Sequence, residues 1–156
     1  MRIRAILSLA ASAVAVVALA TPSQAADDGV YLIHSTRSGA CLNAGGGPFG
    51  GRLGDCGGID AAWRLVNLPD GAVQFRPVRQ ADQCLGLSPV RIFPPAVSET
   101  PCDSNPDQWL VEGPDDRGPI ALRLKEVPQA GSLTARGDRA TLAGEGAPEW
   151  ALEWVG

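Results

Sequence analysis

The feature that most limits what this chain can become is a spacing. Cys56 precedes Trp63 by seven residues, Cys102 precedes Trp109 by seven, and a Cys-Leu pair, Cys41-Leu42 or Cys84-Leu85, opens each unit. A frame that returns after about forty residues marks one supersecondary unit that cannot bury its apolar face alone and must pack with copies of itself. A weaker third copy runs from Ser132-Leu133 to Trp150, and Trp150-Ala-Leu152 matches Trp63-Arg-Leu65. The three tryptophans are 46 and 41 residues apart, so the units agree in length as well as order. Counting seven back from Trp150 reaches Ala143, so the third copy lacks both cysteines together, at Ser132 and Ala143, as a deleted disulfide would leave it.

The N-terminus belongs to a different class of segment. Arg2 and Arg4 precede an apolar run from Ala5 to Ala20, and Ser23-Gln24-Ala25 then places small residues three and one positions before a cut. The run is shorter than the roughly 20 residues of a membrane-spanning helix, so residues 1–25 are expected to be a secretory signal peptide and residues 26–156 one secreted domain. Without the peptide, eleven basic residues face seventeen acidic ones and the formal charge falls from −4 to −6. That balance argues against nucleic acid as a partner, because phosphate binding needs a basic patch, and against insertion into an anionic membrane.

Four cysteines in an exported chain are most simply two disulfides. Three pairings are possible, and the repeat favours Cys41–Cys56 and Cys84–Cys102, each closing a loop within one unit and worth about 3 kcal/mol on the chain-entropy account. No metal or other cofactor is expected, because the chain has no Cys-x-x-Cys and a single histidine, His34.

The rest reads as short strands and turns, with abundant Gly and Pro and no long helical periodicity. Val30 to Ser35 suits a strand; Trp63 and Leu65 alternate onto one face, as do Val73 and Phe75, Trp109 and Val111, and Ile120 and Leu122. Leu68-Pro-Asp-Gly71 and Gly113 to Gly118 are chain reversals at matching places. Lobes of about 30–70, 71–117 and 118–156 therefore predict one closed all-β arrangement with approximate threefold symmetry, closure removing the sheet edges. Trp63, Trp109 and Trp150 are expected in the core. Trp154 has no counterpart, and the sequence does not choose between packing at the closure of the chain and exposure.

The order of Cys-Leu, Cys and Trp resembles the ricin B-type lectin family, whose resemblance implies a β-trefoil carbohydrate-binding domain and covers the whole mature chain. Departures are visible too. The family's Gln two before each Trp is replaced by Ala61, Asp107 and Pro148. The aspartate it places two after the first Cys becomes Asn43, Gly86 and Thr134, its aromatic before the second Cys becomes Gly54, Thr100 and Thr141, and its amide three before the Trp becomes Asp60, Pro106 and Ala147.

Sugar recognition asks for carboxylates or amides that take up hydroxyl groups and an aromatic face for the apolar side of the ring. The first lobe offers Asn43, Asp60 and Phe49; the second offers Phe93 with Asp103, Asn105 or Asp107; the third has no aromatic in the equivalent loop. The same aspartates could instead cap turns, and the same phenylalanines could pack onto the barrel. With one histidine and no motif to place a nucleophile beside it, catalysis is not expected, and Arg136-Gly-Asp138 reads as a turn. The leading expectation is a monomeric, non-enzymatic, secreted lectin-like module of weak or atypical specificity that meets glycans or a glycosylated surface, and that could also partner another secreted protein. The competing expectation is a trefoil scaffold that contacts protein, protease-inhibitor-like or toxin-associated, without a sugar site.

Overall fold

The computed structural model describes residues 26–113, 118–144 and 146–156. The expected signal peptide and most of the second reversal, at 114–117, lie outside the described residues. Among the described residues the strands are β1 (Gly29–Ser35), β2 (Cys41–Asn43), β3 (Gly51–Gly54), β4 (Ala62–Asn67), β5 (Val73–Pro77), β6 (Gln83–Leu87), β7 (Val97–Pro101), β8 (Trp109–Glu112), β9 (Ala121–Leu124), β10 (Ser132–Arg136), β11 (Arg139–Ala143) and β12 (Trp150–Trp154). Two single-turn 3-10 helices, Ile59–Ala61 and Pro128–Ala130, lead into β4 and β10.

Six strands close a barrel: β1 pairs with β12 and β4, β4 with β5, β5 with β8, and β8 with β9, all antiparallel. The ring is completed where the Ile120 and Trp150 backbones exchange hydrogen bonds, 2.8 Å and 3.0 Å. The remaining strands form three hairpins, β2–β3, β6–β7 and β10–β11, that cap one end. This is the β-trefoil, with the expected disulfides Cys41–Cys56 and Cys84–Cys102.

Each repeat frame anchors one lobe by the same contact. The indole N–H of Trp63 donates to the Leu42 carbonyl at 2.8 Å, that of Trp109 to Leu85 at 2.8 Å, and that of Trp150 to Leu133 at 2.7 Å. All three tryptophans are fully buried, among Ile33, Leu65, Phe75, Leu122 and their neighbours. A large ring supplies most of the burial at each barrel position, and its one polar atom is satisfied by the strand that begins the lobe's hairpin. The backbone repeats as faithfully: Thr36, Val78 and Lys125 donate to Glu149, Ala62 and Gln108, in each case the residue before the lobe's tryptophan. The third copy is therefore a full lobe.

Strand register corrects one detail of the repeat. Cys41 faces Gly54 and Cys84 faces Thr100, while Ser132 faces Ala143. Ala143 thus stands where Gly54 and Thr100 stand, two residues short of a second-cysteine position, and the stretch from hairpin to tryptophan is two residues shorter in the third lobe. Counting back from Trp150 assumed a constant loop length, and loop length is what varies between lobes. The Leu68–Gly71 reversal is as expected: Leu68 and Ala72 bond across it, Asp70 caps the Ala72 N–H at 3.1 Å, and Gly71 takes φ 85°.

Candidate functional site

In the first lobe the side chain of Asn43 turns inward. It is 4% exposed, and its amide donates to the carbonyls of Cys41 at 2.9 Å and Asp55 at 3.2 Å, tying the two strands of the β2–β3 hairpin together. Thr134, at the same place in the third lobe, bonds the Ser132 carbonyl in the same manner. Asp60, on the turn before β4, stays at the surface and pairs with Arg79 at 2.9 Å; its carbonyl takes the Ala44 N–H. Glu99 of β7 accepts the Gly45 N–H at 3.0 Å. Burial pushes the Glu99 carboxyl up, outweighing the Gly45 hydrogen bond and the nearby Arg79 guanidinium that favour its charge. Phe49, 57% exposed, projects from the glycine-rich loop that Glu99 holds.

The second lobe places its acids differently. Asp107 is 1% exposed; one oxygen takes the Gln74 amide at 3.1 Å and the other the Asp103 N–H at 2.7 Å. Gln74 also donates to Asp103 at 3.0 Å and accepts from Arg76 at 2.8 Å. This network fixes the turn at Asp103, whose φ of 63° a non-glycine residue adopts only with such support. Asn105 and Asp103 line a shallow depression of about 280 Å³ with Gln108 and Glu126. Phe93 stands far from this turn, 95% exposed at the tip of the β6–β7 loop. Cys84, Cys102 and Asp107 form the one metal-ligand-like cluster among the described residues. Both sulfurs are in a disulfide and the carboxylate is already bonded, so the set does not suit a metal.

Threefold comparison explains why the lobes differ at their junctions. The second residue past the barrel turn is Arg37, Arg79 or Glu126. Arg79 pairs with Asp60, and Arg37 approaches Glu149 at 3.9 Å, while Glu149 itself bonds the Ala135 N–H at 2.9 Å in place of a backbone carbonyl. Where Glu126 replaces the arginine, it forms no ion pair among the described residues and lines the depression beside Asp103 and Asn105.

Two grooves lie between the β6–β7 loop and the third lobe. One of about 380 Å³ is lined by Phe93, Pro94, Gln129, Arg136 and Leu142; the other, about 400 Å³ and continuous with it through Pro95, Gln129 and Ala130, is lined by Leu87, Arg91, Ile92 and Val127. The sequence points to Phe93 and presents Arg136 only as part of the Arg136-Gly-Asp138 turn, and it singles out neither Gln129 nor Arg91, because only the closed barrel brings the β6–β7 loop beside the 3-10 turn of the next lobe. A signal existed in the Pro-rich loop itself, too long for a tight hairpin. Trp154 is 66% exposed at the opposite end of the barrel, its ring against Gly29.

No family model matches the chain, and no curated protein does. Solved structures match it in fold. The designed threefold-symmetric protein ThreeFoil has TM-score 0.64 and 19% identity over 82% of this chain and all of its own. The Macrolepiota procera ricin B-like lectin, solved with lactose, has TM-score 0.62 and 14% identity over 85% of this chain and 100% of that one. A mosquitocidal holotoxin has TM-score 0.65 and 13% identity over 84% of this chain, which spans 18% of the toxin. At these identities the likeness establishes the β-trefoil fold, shared with lectins and with a toxin segment alike.

Proposed function

We propose that the protein is a secreted carbohydrate-binding module that recognises sugar through aromatics on its hairpin cap. The observation that carries this reading is Phe93. A phenylalanine 95% exposed leaves apolar area in water that a ring partner would cover. Its loop is held at both ends: Ser88 donates to the Pro48 carbonyl at 2.6 Å and its N–H to Ala96 at 2.9 Å, and Leu142 donates to the Pro95 carbonyl at 2.8 Å. An exposed aromatic face that lines a groove with Gln129 has the amphipathic character that a pyranose ring complements. Phe49 and Asp60 offer a second aromatic and a carboxylate on the first lobe, whereas Asn43 and Asp107 serve their own loops. The two disulfides fit an oxidising compartment, which supports export.

A glycan array on folded residues 26–156, with Phe93→Ala and Phe49→Ala beside it, tests the reading. Binding that Phe93→Ala abolishes supports it, and a blank array with folded protein overturns it. A protein-contact role, toxin-associated or inhibitor-like, draws on Trp154 and Val155, which form an exposed apolar pair at the far end of the barrel. A blank array together with a soluble partner released by Trp154→Ala would favour that role.

A further inference from the structure

The cap carries a row of like charges. Arg139 faces Arg52 across β11 and β3, and faces Arg136 across β11 and β10, so three arginines stand side by side on the outward face of three adjacent strands. All three are exposed. Directly opposed residues hold their Cβ atoms about 4.5–5.5 Å apart, and like charges so placed destabilise a sheet. Among the described residues neither these arginines nor Arg91 forms an ion pair. Arg139 only reaches the Gly46 and Gly50 carbonyls, at 3.4 Å each. Asp138, in the two-residue turn between Arg136 and Arg139, is the single carboxylate of the hairpin tip. The formal charge of −4 on the whole chain conceals this local basic row.

The row is flanked by the exposed aromatics. Arg136 lines the 380 Å³ groove with Phe93, Arg91 lines its 400 Å³ continuation, and among the described residues no acidic side chain lines either. On the other flank, the loop that carries Phe49 supplies the carbonyls that Arg139 meets. We infer that this face receives an anionic saccharide, a glycan bearing carboxylate or sulfate groups. The sugar ring lies on Phe93 beside Gln129, and the acid groups meet the fork of Arg136 and the row behind it. Guanidinium suits that role, since it binds carboxylate and sulfate-like oxygens in pairs and is weakly hydrated. A concave groove of this volume fits one or two sugar rings better than a bilayer surface, and the acidic remainder of the molecule opposes approach to an anionic membrane. Single-stranded nucleic acid would need a run of aromatics for successive bases, and the groove has one. The inference rests on the carbohydrate-binding reading and adds the class of sugar.

The test measures binding of the disulfide-bonded protein, residues 26–156, to four probes: a sulfated oligosaccharide, a uronate-containing oligosaccharide, neutral lactose, and vesicles of mixed anionic and neutral phospholipid. A single-stranded oligonucleotide serves as the general polyanion. The expected result is preference for at least one acidic sugar over lactose and over the oligonucleotide. Raising salt from 50 to 200 mM should weaken that binding, because screening shortens the reach of exposed charges from more than about 10 Å to roughly 7 Å. Arg136→Ser and Arg139→Ser should each weaken it roughly tenfold, with circular dichroism unchanged and melting not lowered, since each relieves a directly opposed like-charge pair. Binding of neutral sugars alone, lost in Phe93→Ala and indifferent to both arginine variants, would overturn the inference and leave the carbohydrate-binding reading standing. No sugar binding at all would overturn both. Tighter binding to the vesicles or the oligonucleotide than to any sugar would replace the saccharide with that partner.

Discussion

Replacing Trp150 by phenylalanine asks whether the third lobe, which has no disulfide, is held as the others are. The substitution keeps an aromatic ring in the barrel but removes the N–H that reaches the Leu133 carbonyl at 2.7 Å. A buried carbonyl left without that donor costs about 1–3 kcal/mol. The missing second ring leaves a gap in a site of zero exposure, adding about 1–2 kcal/mol. The sum, about 2–5 kcal/mol, is a large part of the 5–15 kcal/mol typical of a domain. For a domain of this size it lowers Tm by roughly 8–20 °C. Thermal unfolding by circular dichroism, cross-checked by urea titration, measures it. Trp63→Phe and Trp109→Phe should fall in the same range, because their indoles make the same bond at 2.8 Å. Trp154→Phe is the control, exposed and expected to stay within about 0.5 kcal/mol. A Trp150→Phe protein that melts with the Trp154→Phe control, while the other two lose several kcal/mol, would refute the equivalence of the lobes.

Other outcomes follow from single contacts. Asp107→Ala leaves the Asp103 N–H without its acceptor and the Gln74 amide with Asp103 alone, and should cost about 1–3 kcal/mol. Glycan binding of the folded variant should be unchanged, so a selective loss of binding would return Asp107 to the ligand site. Glu99, raised from its ordinary 4.5 by burial, favours the folded state fully below that value and progressively less as pH rises through its folded value. Glu99→Gln keeps an acceptor for Gly45 and should raise Tm at pH 7, with the gain vanishing below pH 4; a lower Tm at pH 7 would contradict this sign. The pair Cys41→Ala/Cys56→Ala should cost about 3 kcal/mol, checked in the same unfolding assay, and leave the Trp63 contact intact by its near-ultraviolet dichroism.

The fold was legible because it is written in residues that every lobe must keep. A tryptophan whose indole bonds the Leu of the Cys-Leu pair fixes the distance between hairpin and barrel strand, and three such tryptophans fix the symmetry. The third lobe could be found without its disulfide for that reason, and its loop was miscounted by two because loop length carries no such constraint. The candidate site was less legible. Asn43 and Asp107 have the chemistry of sugar ligands, but whether a polar side chain serves a ligand or its own backbone depends on where it points, and both point inward. Phe93 was a candidate because of its Pro-rich loop, but exposure and packing onto the barrel stayed open in sequence until the structure showed the ring in solvent. The arginine row was invisible because Arg52 lies more than eighty residues from Arg136 and Arg139, and only the β3–β11 pairing makes them neighbours.

The central claim is that ligand is held on the hairpin cap, between the first-lobe loop, the β6–β7 loop and the β10–β11 turn. Amide chemical-shift mapping during titration of the isotope-labelled protein with an acidic oligosaccharide tests it most directly. Saturable shifts are expected at residues 45–50, 91–96, 129–130 and 136–139, with Asn43 and residues 103–107 still. Shifts confined to the latter positions, or to the strand end around Trp154, would contradict it.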